Sequence, residues 1–240
     1  MEYQNQIREA VFYKRPNRFL AEVELDGKRE LVHVKNTGRC RELLVPGTPV
    51  FLEKSGNPNR KTQYDLIAVK KGERLINMDS QIPNKVVEEW LLKGNLFGKE
   101  ARVKREVTYG NSRFDLYIES QGRKCFMEVK GVTLEEDGVV RFPDAPTERG
   151  VKHVKELCRC IEDGYEAYIM FVVQMANVKY FEPNEATHPE FGAALREAQQ
   201  AGVHILAYAC DVRKDLINLS KPVRVYLNGN TKIREQETEC

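Results

Sequence analysis

Hydrophobic and polar positions change their rhythm near residue 80. Before it, apolar residues alternate with polar ones in short runs. "FLAEVELDGKRELVHV" is two such runs around an Asp-Gly pair, the pattern of a β-hairpin. "PGTPVFLEKS" predicts a further strand after a Pro-Gly turn, and "TQYDLIAVKKGERLINM" predicts two more. Five short strands with turns between them predict a small barrel over residues 1–80, of the OB type or, alternatively, SH3-like. Beyond residue 80 helical spacing enters. In "QIPNKVVEEWLLKGN", Pro83 and Asn84 start a helix, Val86, Val87, Trp90 and Leu91 form its apolar stripe, and Gly94 ends it. Strands follow near 101–109, 112–119 and 124–132. "TERGVKHVKELCRCIEDG" predicts a second helix, with Thr147 as N-cap and Gly164 past its end. "YEAYIMFVVQ" reads as a central strand, "PEFGAALREAQQAG" as a third helix and "VHILAYACDV" as another strand. The order α-β-β-β-α-β-α-β over residues 81–240 predicts a mixed sheet flanked by helices, and a chain of α+β class. "NGNTKIREQETEC" reads as a frayed end.

One stretch breaks the logic of a buried sheet. "RFDLYIESQGRKCFMEVK" (113–130) is two strands around a polar turn. Phe114, Leu116 and Ile118 are expected on one face. Asp115 falls on the other, with Phe126, Glu128 and Lys130 of the second strand. A two-residue turn at Gln121-Gly122 sets Ser120 opposite Arg123, and counting back sets Asp115 opposite Glu128. Like charges so placed destabilise a sheet unless a shared proton or a cation neutralises them. Mg²⁺ suits one or two carboxylates, keeps several waters and often binds substrate phosphate as well. Lys130 on the same face can hold an attacking water or stabilise phosphate charge. These are the parts of a metal-dependent phosphodiester hydrolase; a Glu–Lys ladder on a solvated face is the plainer alternative.

Charge adds a partner. The 240 residues carry a net charge of only +2, but Arg8 to Lys61 holds twelve Lys and Arg against seven Asp and Glu. A basic N-terminal part suits a polyanion such as nucleic acid. Arg15, Arg18, Lys35, Arg39, Arg41, Arg60 and Lys61 interleave there with Phe12, Tyr13, Phe19 and Tyr64, a pattern that can serve bases and phosphates together. On the second helix Arg149, Lys152 and Glu156 share a face, from which Arg149 and Lys152 can reach phosphates. His153 lies at the edge of the apolar face, where a boundary histidine is the plainer reading. Gln174 ends the central strand. Six cysteines lack C-x-x-C spacing, which argues for reduced thiols rather than zinc. The start lacks a basic region followed by an apolar run, and "YIMFVV" is too short to span a bilayer. A cytoplasmic protein with no membrane segment is expected.

The helix–strand–strand–strand–helix order with D-x₁₂-E-x-K resembles the PD-(D/E)XK, or restriction-endonuclease-like, nuclease fold. "RFLAEVEL", "NTG", "NPNRK", "PNKVVEEWL", "SRFDL", "EVKGVTL", "FPDAPTERGVKHVKEL" and "GVHILAY" together resemble the sugar fermentation stimulation protein family, SfsA, over residues 18–210. That resemblance implies an OB-like N-terminal domain, a nuclease-like C-terminal domain, DNA as partner and a link to the regulation of sugar metabolism. It implies a site of Asp115, Glu128 and Lys130, with Mg²⁺, or Mn²⁺ in its place, on the two carboxylates. Glu88 and Glu89 both flank the stripe of the first helix; the family pattern favours Glu89 as the helix carboxylate. A non-catalytic DNA-binding regulator is the alternative. A small-molecule or protein-interaction module is the second.

Overall fold

A computed structural model describes residues 1–36 and 38–228; most of the segment read as a frayed end, from residue 229 on, lies outside the described residues. The N-terminal part contains β1 (Ile7–Asn17), β2 (Leu20–Leu25), β3 (Lys28–Val34), β4 (Pro49–Lys54), β5 (Tyr64–Lys71) and β6 (Arg74–Asn77). They pair in the order β3-β2-β1-β4-β5-β6, and β3 also pairs with β5. That extra pairing closes five strands into a barrel, and β6 continues from β5 as a hairpin. The Asp26-Gly27 turn has φ of 52° and 73°, the left-handed pair that a two-residue hairpin needs. Inward positions alternate as the pattern requires: Ala21, Val23, Val32, Val50 and Leu52 are fully buried. The sequence reading missed β1, where Ala10, Val11, Phe12 and Tyr13 are apolar in succession, so the alternation of buried Ala10 and Phe12 with exposed Val11 and Tyr13 does not show in the residue pattern.

The C-terminal part contains α1 (Ile82–Leu92), β7 (Arg102–Tyr109), β8 (Ser112–Ser120), β9 (Arg123–Val132), β10 (Leu134–Glu136), β11 (Val139–Phe142), α2 (Glu148–Glu162), β12 (Glu166–Val173), β13 (Tyr180–Pro183), α3 (Pro189–Gln200), β14 (His204–Arg213), β15 (Leu216–Pro222) and β16 (Arg224–Val225). Six of its strands form a mixed sheet in the order β15-β14-β12-β9-β8-β7. β7, β8 and β9 are antiparallel neighbours, and β9, β12 and β14 run parallel. α1 covers one face through Val86, Val87 and Leu91, packed with Leu116, Met127 and Val129. α2 and α3 cover the other through Val154, Leu157, Phe191 and Leu195, packed with Phe126, Ile169 and Phe171. Thr147 caps α2 by accepting the Gly150 N–H at 3.1 Å. A second sheet, β10-β11-β13-β16, was not expected from sequence. Its strands are two to four residues long, too short to show a period, although Asp137-Gly138 marks the β10–β11 turn.

The two parts are locked by a buried ion cluster. Glu135, 3% exposed, accepts from Lys71 Nζ at 2.8 Å, Arg74 Nη1 at 2.7 Å and the Gly138 N–H at 2.6 Å. Lys71 and Arg74 belong to the β5–β6 hairpin, whereas Glu135 belongs to β10. Burial opposes the Glu135 charge, but the bonds from Lys71, Gly138 and Arg74 outweigh it and hold the carboxyl at about 2. A folded pKa below the unfolded value gives stability that is present above the unfolded pKa and lost as pH falls through the folded one. Glu135→Gln is therefore expected to cost about 3 kcal/mol at pH 7, as breaking a buried pair does. Urea unfolding is expected to show the gap between variant and parent closing between about pH 4.5 and 2. A gap that stays constant across that range counts against the clasp.

Candidate functional site

The β8–β9 hairpin turns at Gln121-Gly122, where φ is 50° and 79°. Its ladder runs from Ser120↔Arg123 to Leu116↔Met127. One further step sets Asp115 beside Glu128, and there the ladder gives way to side chains. Asp115 Oδ2 accepts the Val129 N–H at 2.8 Å, and Oδ1 accepts Asn84 Nδ2 from α1 at 2.8 Å. Glu128 is 2% exposed. Its Oε1 accepts both Lys130 Nζ and His153 Nδ1, each at 2.5 Å. Its Oε2 is buried and has no hydrogen-bond partner among the described residues. His153 Nε2 lies 3.4 Å from Arg149 Nε, one helical turn earlier on α2. A donor at Nε2 and a carboxylate at Nδ1 together select the tautomer protonated on Nδ1.

The electrostatics follow from this crowding. Burial raises the Asp115 pKa, and the neighbouring Glu128 charge raises it further. Burial also opposes the Glu128 charge, but the bonds from His153 and Lys130 outweigh it, and its pKa falls below the ordinary range. Phe114 departs from expectation. It packs against Phe126 and the His153 ring, at centroid distances of 5.4 and 6.2 Å, whereas Leu116 and Ile118 join the α1 side. The backbone explains this. Glu106, across from Asp115 on β7, has φ of 58°, and the ladder between these two strands skips that pair.

Other residues singled out from sequence fall into two groups. Several cations are occupied by the fold. Arg15 donates to the carbonyls of Arg18, Asn36, Gly38 and Arg39 at 2.6 to 2.9 Å, which ties Asn36, Gly38 and Arg39 to β1. Lys35 lies within 3.0 Å of Asp65 and 3.5 Å of Asp79, and Arg60 grips Asp65 through both terminal nitrogens, at 2.8 and 3.1 Å. These three are corrected from phosphate ligands to internal ties, because desolvated carboxylates and carbonyls hold them. Lys152 donates to the Asn111 carbonyl at 2.9 Å yet stays exposed, as do Arg149, Arg18, Arg39 and Lys61. Tyr13 and Phe19 are 44% and 45% exposed, with Arg29 3.6 Å over the first ring and Arg18 4.7 Å over the second.

Glu89 is also corrected. It sits 2.7 Å from the Met1 ammonium, away from the carboxylate pair. Asn84, not a glutamate, is the α1 residue that reaches Asp115, and Glu88, one turn further on, faces Arg105 at 3.8 Å. His153, read as a boundary residue, belongs to the cluster; its signal was the i, i+4 spacing from Arg149 on the helix after the E-x-K strand. Gln174 is 1% exposed and donates to Asn77 and Asp79. Among the described residues no group of three or more His, Cys, Asp or Glu is arranged to hold a metal ion. A cation here would rest on two carboxylates and water.

Comparison with known proteins follows the same division. The model of the sugar fermentation stimulation protein RE domain matches residues 81–216, and that of the SfsA N-terminal OB domain matches residues 14–78. The chain belongs to the sugar fermentation stimulation protein family. A family homologue from Ruminiclostridium cellulolyticum is 59% identical, over 95% of this chain and 100% of its own. One from Clostridium beijerinckii is 57% identical over the same shares. The solved structure of Pyrococcus furiosus SfsA, described as in complex with Ca²⁺, superposes with a TM-score of 0.83 at 29% identity, covering 94% of this chain and 99% of that one. The chain thus pairs an OB barrel with a mixed-sheet domain. Among the described residues, no helix is long and apolar enough to cross a membrane.

Proposed function

We propose that this SfsA chain binds DNA and hydrolyses a phosphodiester bond with one Mg²⁺ or Mn²⁺ held by Asp115 and Glu128. The observation that carries this reading is Glu128 Oε2, a buried carboxylate oxygen without a partner, beside a second carboxylate. A buried acceptor oxygen left without a donor costs about 1–3 kcal/mol, and a hard dication bound by oxygen ligands removes that cost. The Ca²⁺ described for the Pyrococcus furiosus relative is a cation of the same hard class. When bound, the cation supplies Lewis acidity and a lowered water pKa. The chain's own residues do the rest. His153 and Lys130 fix Glu128 through Oε1, which leaves Oε2 to face the ligand. Asn84 and the Val129 N–H fix Asp115. Lys130 has three donors and spends one on Glu128, so two remain for water or a phosphate oxygen. Exposed Arg18, Arg39, Lys61, Arg149 and Lys152 supply phosphate contacts, and Tyr13 and Phe19 supply stacking faces. The five cysteines among the described residues are unpaired thiols, which suits a reducing cytoplasm.

The decisive experiment incubates labelled DNA with the purified protein in Mg²⁺, Mn²⁺ or EDTA. Cleavage is expected with either metal and not with EDTA. Lys130→Ala is expected to abolish cleavage while keeping salt-dependent binding. Binding without cleavage in any metal would leave the non-catalytic regulator standing. Absence of binding at low salt would remove the DNA reading altogether, because phosphate contacts strengthen steeply as salt falls.

A further inference from the structure

A polar cavity of about 100 Å³ lies where Asn36 and Ser80 meet the C-terminal ends of β9 and β12. At roughly 10–15 Å³ per water position, this is room for several non-hydrogen atoms, the scale of one nucleobase. The wall is built from buried groups. Gln174 spends Nε2 on Asn77 Oδ1 at 2.9 Å and on the Asp79 carbonyl at 3.1 Å. Those two bonds fix the amide and turn Oε1 toward Gly131, where a Cβ would lie 2.5 Å from it. Gln174 Oε1 accepts no hydrogen bond from a described residue. Asp144, in the connection from β11 to α2, also lines the cavity, with Oδ2 2.3 Å from where a Cβ on Gly38 would stand. A side chain at either glycine would displace the acceptor beside it. Donors complete the lining. Thr133 brings a hydroxyl, and Arg141 is held by Glu182 at 2.7 Å and Glu136 at 2.9 Å through Nε and Nη1, which leaves Nη2.

We propose that this cavity is a guanine-reading subsite. Two acceptors beside a fixed donor match an edge with adjacent N–H groups next to a carbonyl oxygen. Guanine has that edge. Adenine and cytosine set an acceptor nitrogen beside their amino group, which would face the lone pairs of Asp144 or Gln174, and thymine has a single N–H between two carbonyls. The position suits a base close to the reacting phosphate: Gly131 lines the cavity and immediately follows Lys130 on β9. The inference rests on the DNA reading above where the guanine belongs to a strand; a free guanine nucleotide offers the same edge.

The test compares an all-thymine single-stranded oligonucleotide with one carrying a single central guanine, and both with dGMP and dTMP, in EDTA. The guanine oligonucleotide is expected to bind about tenfold more tightly than the all-thymine one, within the range of one good bidentate contact. Asp144→Asn is expected to bring that ratio close to one, since it replaces an acceptor by a donor on a side chain of the same size. Thr133→Val, which removes only the hydroxyl, is expected to lower the ratio. Gln174 is left intact because it also holds Asn77 and Asp79. Equal affinity for the two oligonucleotides would overturn the subsite and leave the DNA reading standing. Binding of dGMP over dTMP, with neither oligonucleotide bound, would keep the subsite and sink the DNA reading. Failure of all four probes to bind overturns both, and a tenfold ratio that survives Asp144→Asn overturns the assignment of the reader.

Discussion

Replacing Glu128 by glutamine is expected to reduce Mg²⁺ binding below detection by calorimetry, and hydrolysis with it. The substitution keeps the shape of the side chain and removes its charge. Oε1 of the parent holds two charge-assisted or short hydrogen bonds, from Lys130 and His153, and Oε2 is the unpartnered acceptor. The amide oxygen can still accept from Lys130 and His153, but the NH₂ group that replaces Oε2 is a donor and offers no oxygen to a dication. Asp115 alone would then remain, and a single carboxylate with waters binds weakly. Residues that orient the pair are expected to do less. Asn84→Ala frees Asp115 Oδ1, and His153→Ala leaves Glu128 Oε1 to Lys130 alone, so each is expected to weaken Mg²⁺ affinity by about 10- to 100-fold, the usual cost of losing an outer partner. Glu89→Ala is expected to leave Mg²⁺ affinity unchanged, because Glu89 is bound to the Met1 ammonium. Parental affinity in Glu128→Gln would place the cation elsewhere, and an effect of Glu89→Ala as large as that of Asn84→Ala would restore the helix glutamate to the site.

That contrast shows what the sequence could and could not convey. The pairing of β8 with β9 was legible because a two-residue turn fixes register and register fixes faces. Asp115 and Glu128 needed only counting. Which residue of α1 meets Asp115 depends on how the helix is rotated over the sheet, and 3.6 periodicity defines an apolar stripe about 100° wide, not a single side chain. Asn84 and Glu89 lie on opposite borders of that stripe, so the family pattern chose one border and the packing the other. The basic N-terminal part was legible as a total. Its division was not, because carbonyls and carboxylates distant in sequence decide which cations are free. Arg15 is occupied by four carbonyls from residues 18 to 39, and no local pattern announces that. The small β10-β11-β13-β16 sheet stayed hidden for a related reason: beyond the β10–β11 hairpin, its strands are held by partners far along the chain.

The same division sets the second large effect. Asp65→Ala is expected to destabilise the barrel by about 3–5 kcal/mol, the range for breaking a buried ion pair. Asp65 is 4% exposed and accepts from Arg60, from Lys35 at 3.0 Å and from His33 Nδ1 at 2.9 Å. It pairs with His33 across the β3–β5 ladder that closes the barrel, so its loss strikes the closure itself. Burial opposes the Asp65 charge, but the bonds from Arg60, Lys35 and His33 outweigh it and hold the carboxyl at about 2. The sign is that of a depressed carboxylate: the stabilisation is complete above about pH 4 and is lost as pH falls toward 2. Denaturant midpoints of parent and variant are therefore expected to converge in acid. The consequence reaches the DNA assay. Arg60→Glu sets a carboxylate against Asp65, so loss of DNA affinity in that variant reports a damaged barrel, not a missing phosphate contact. Lys61→Glu is the cleaner probe, because Lys61 is exposed and its neighbour Arg60 already serves Asp65. If Lys61 touches a phosphate, its reversal is expected to lower the slope of log affinity against log salt by about one while leaving the unfolding midpoint in place. An unchanged slope would move the phosphate path toward Arg149 and Lys152, on the helix that carries His153.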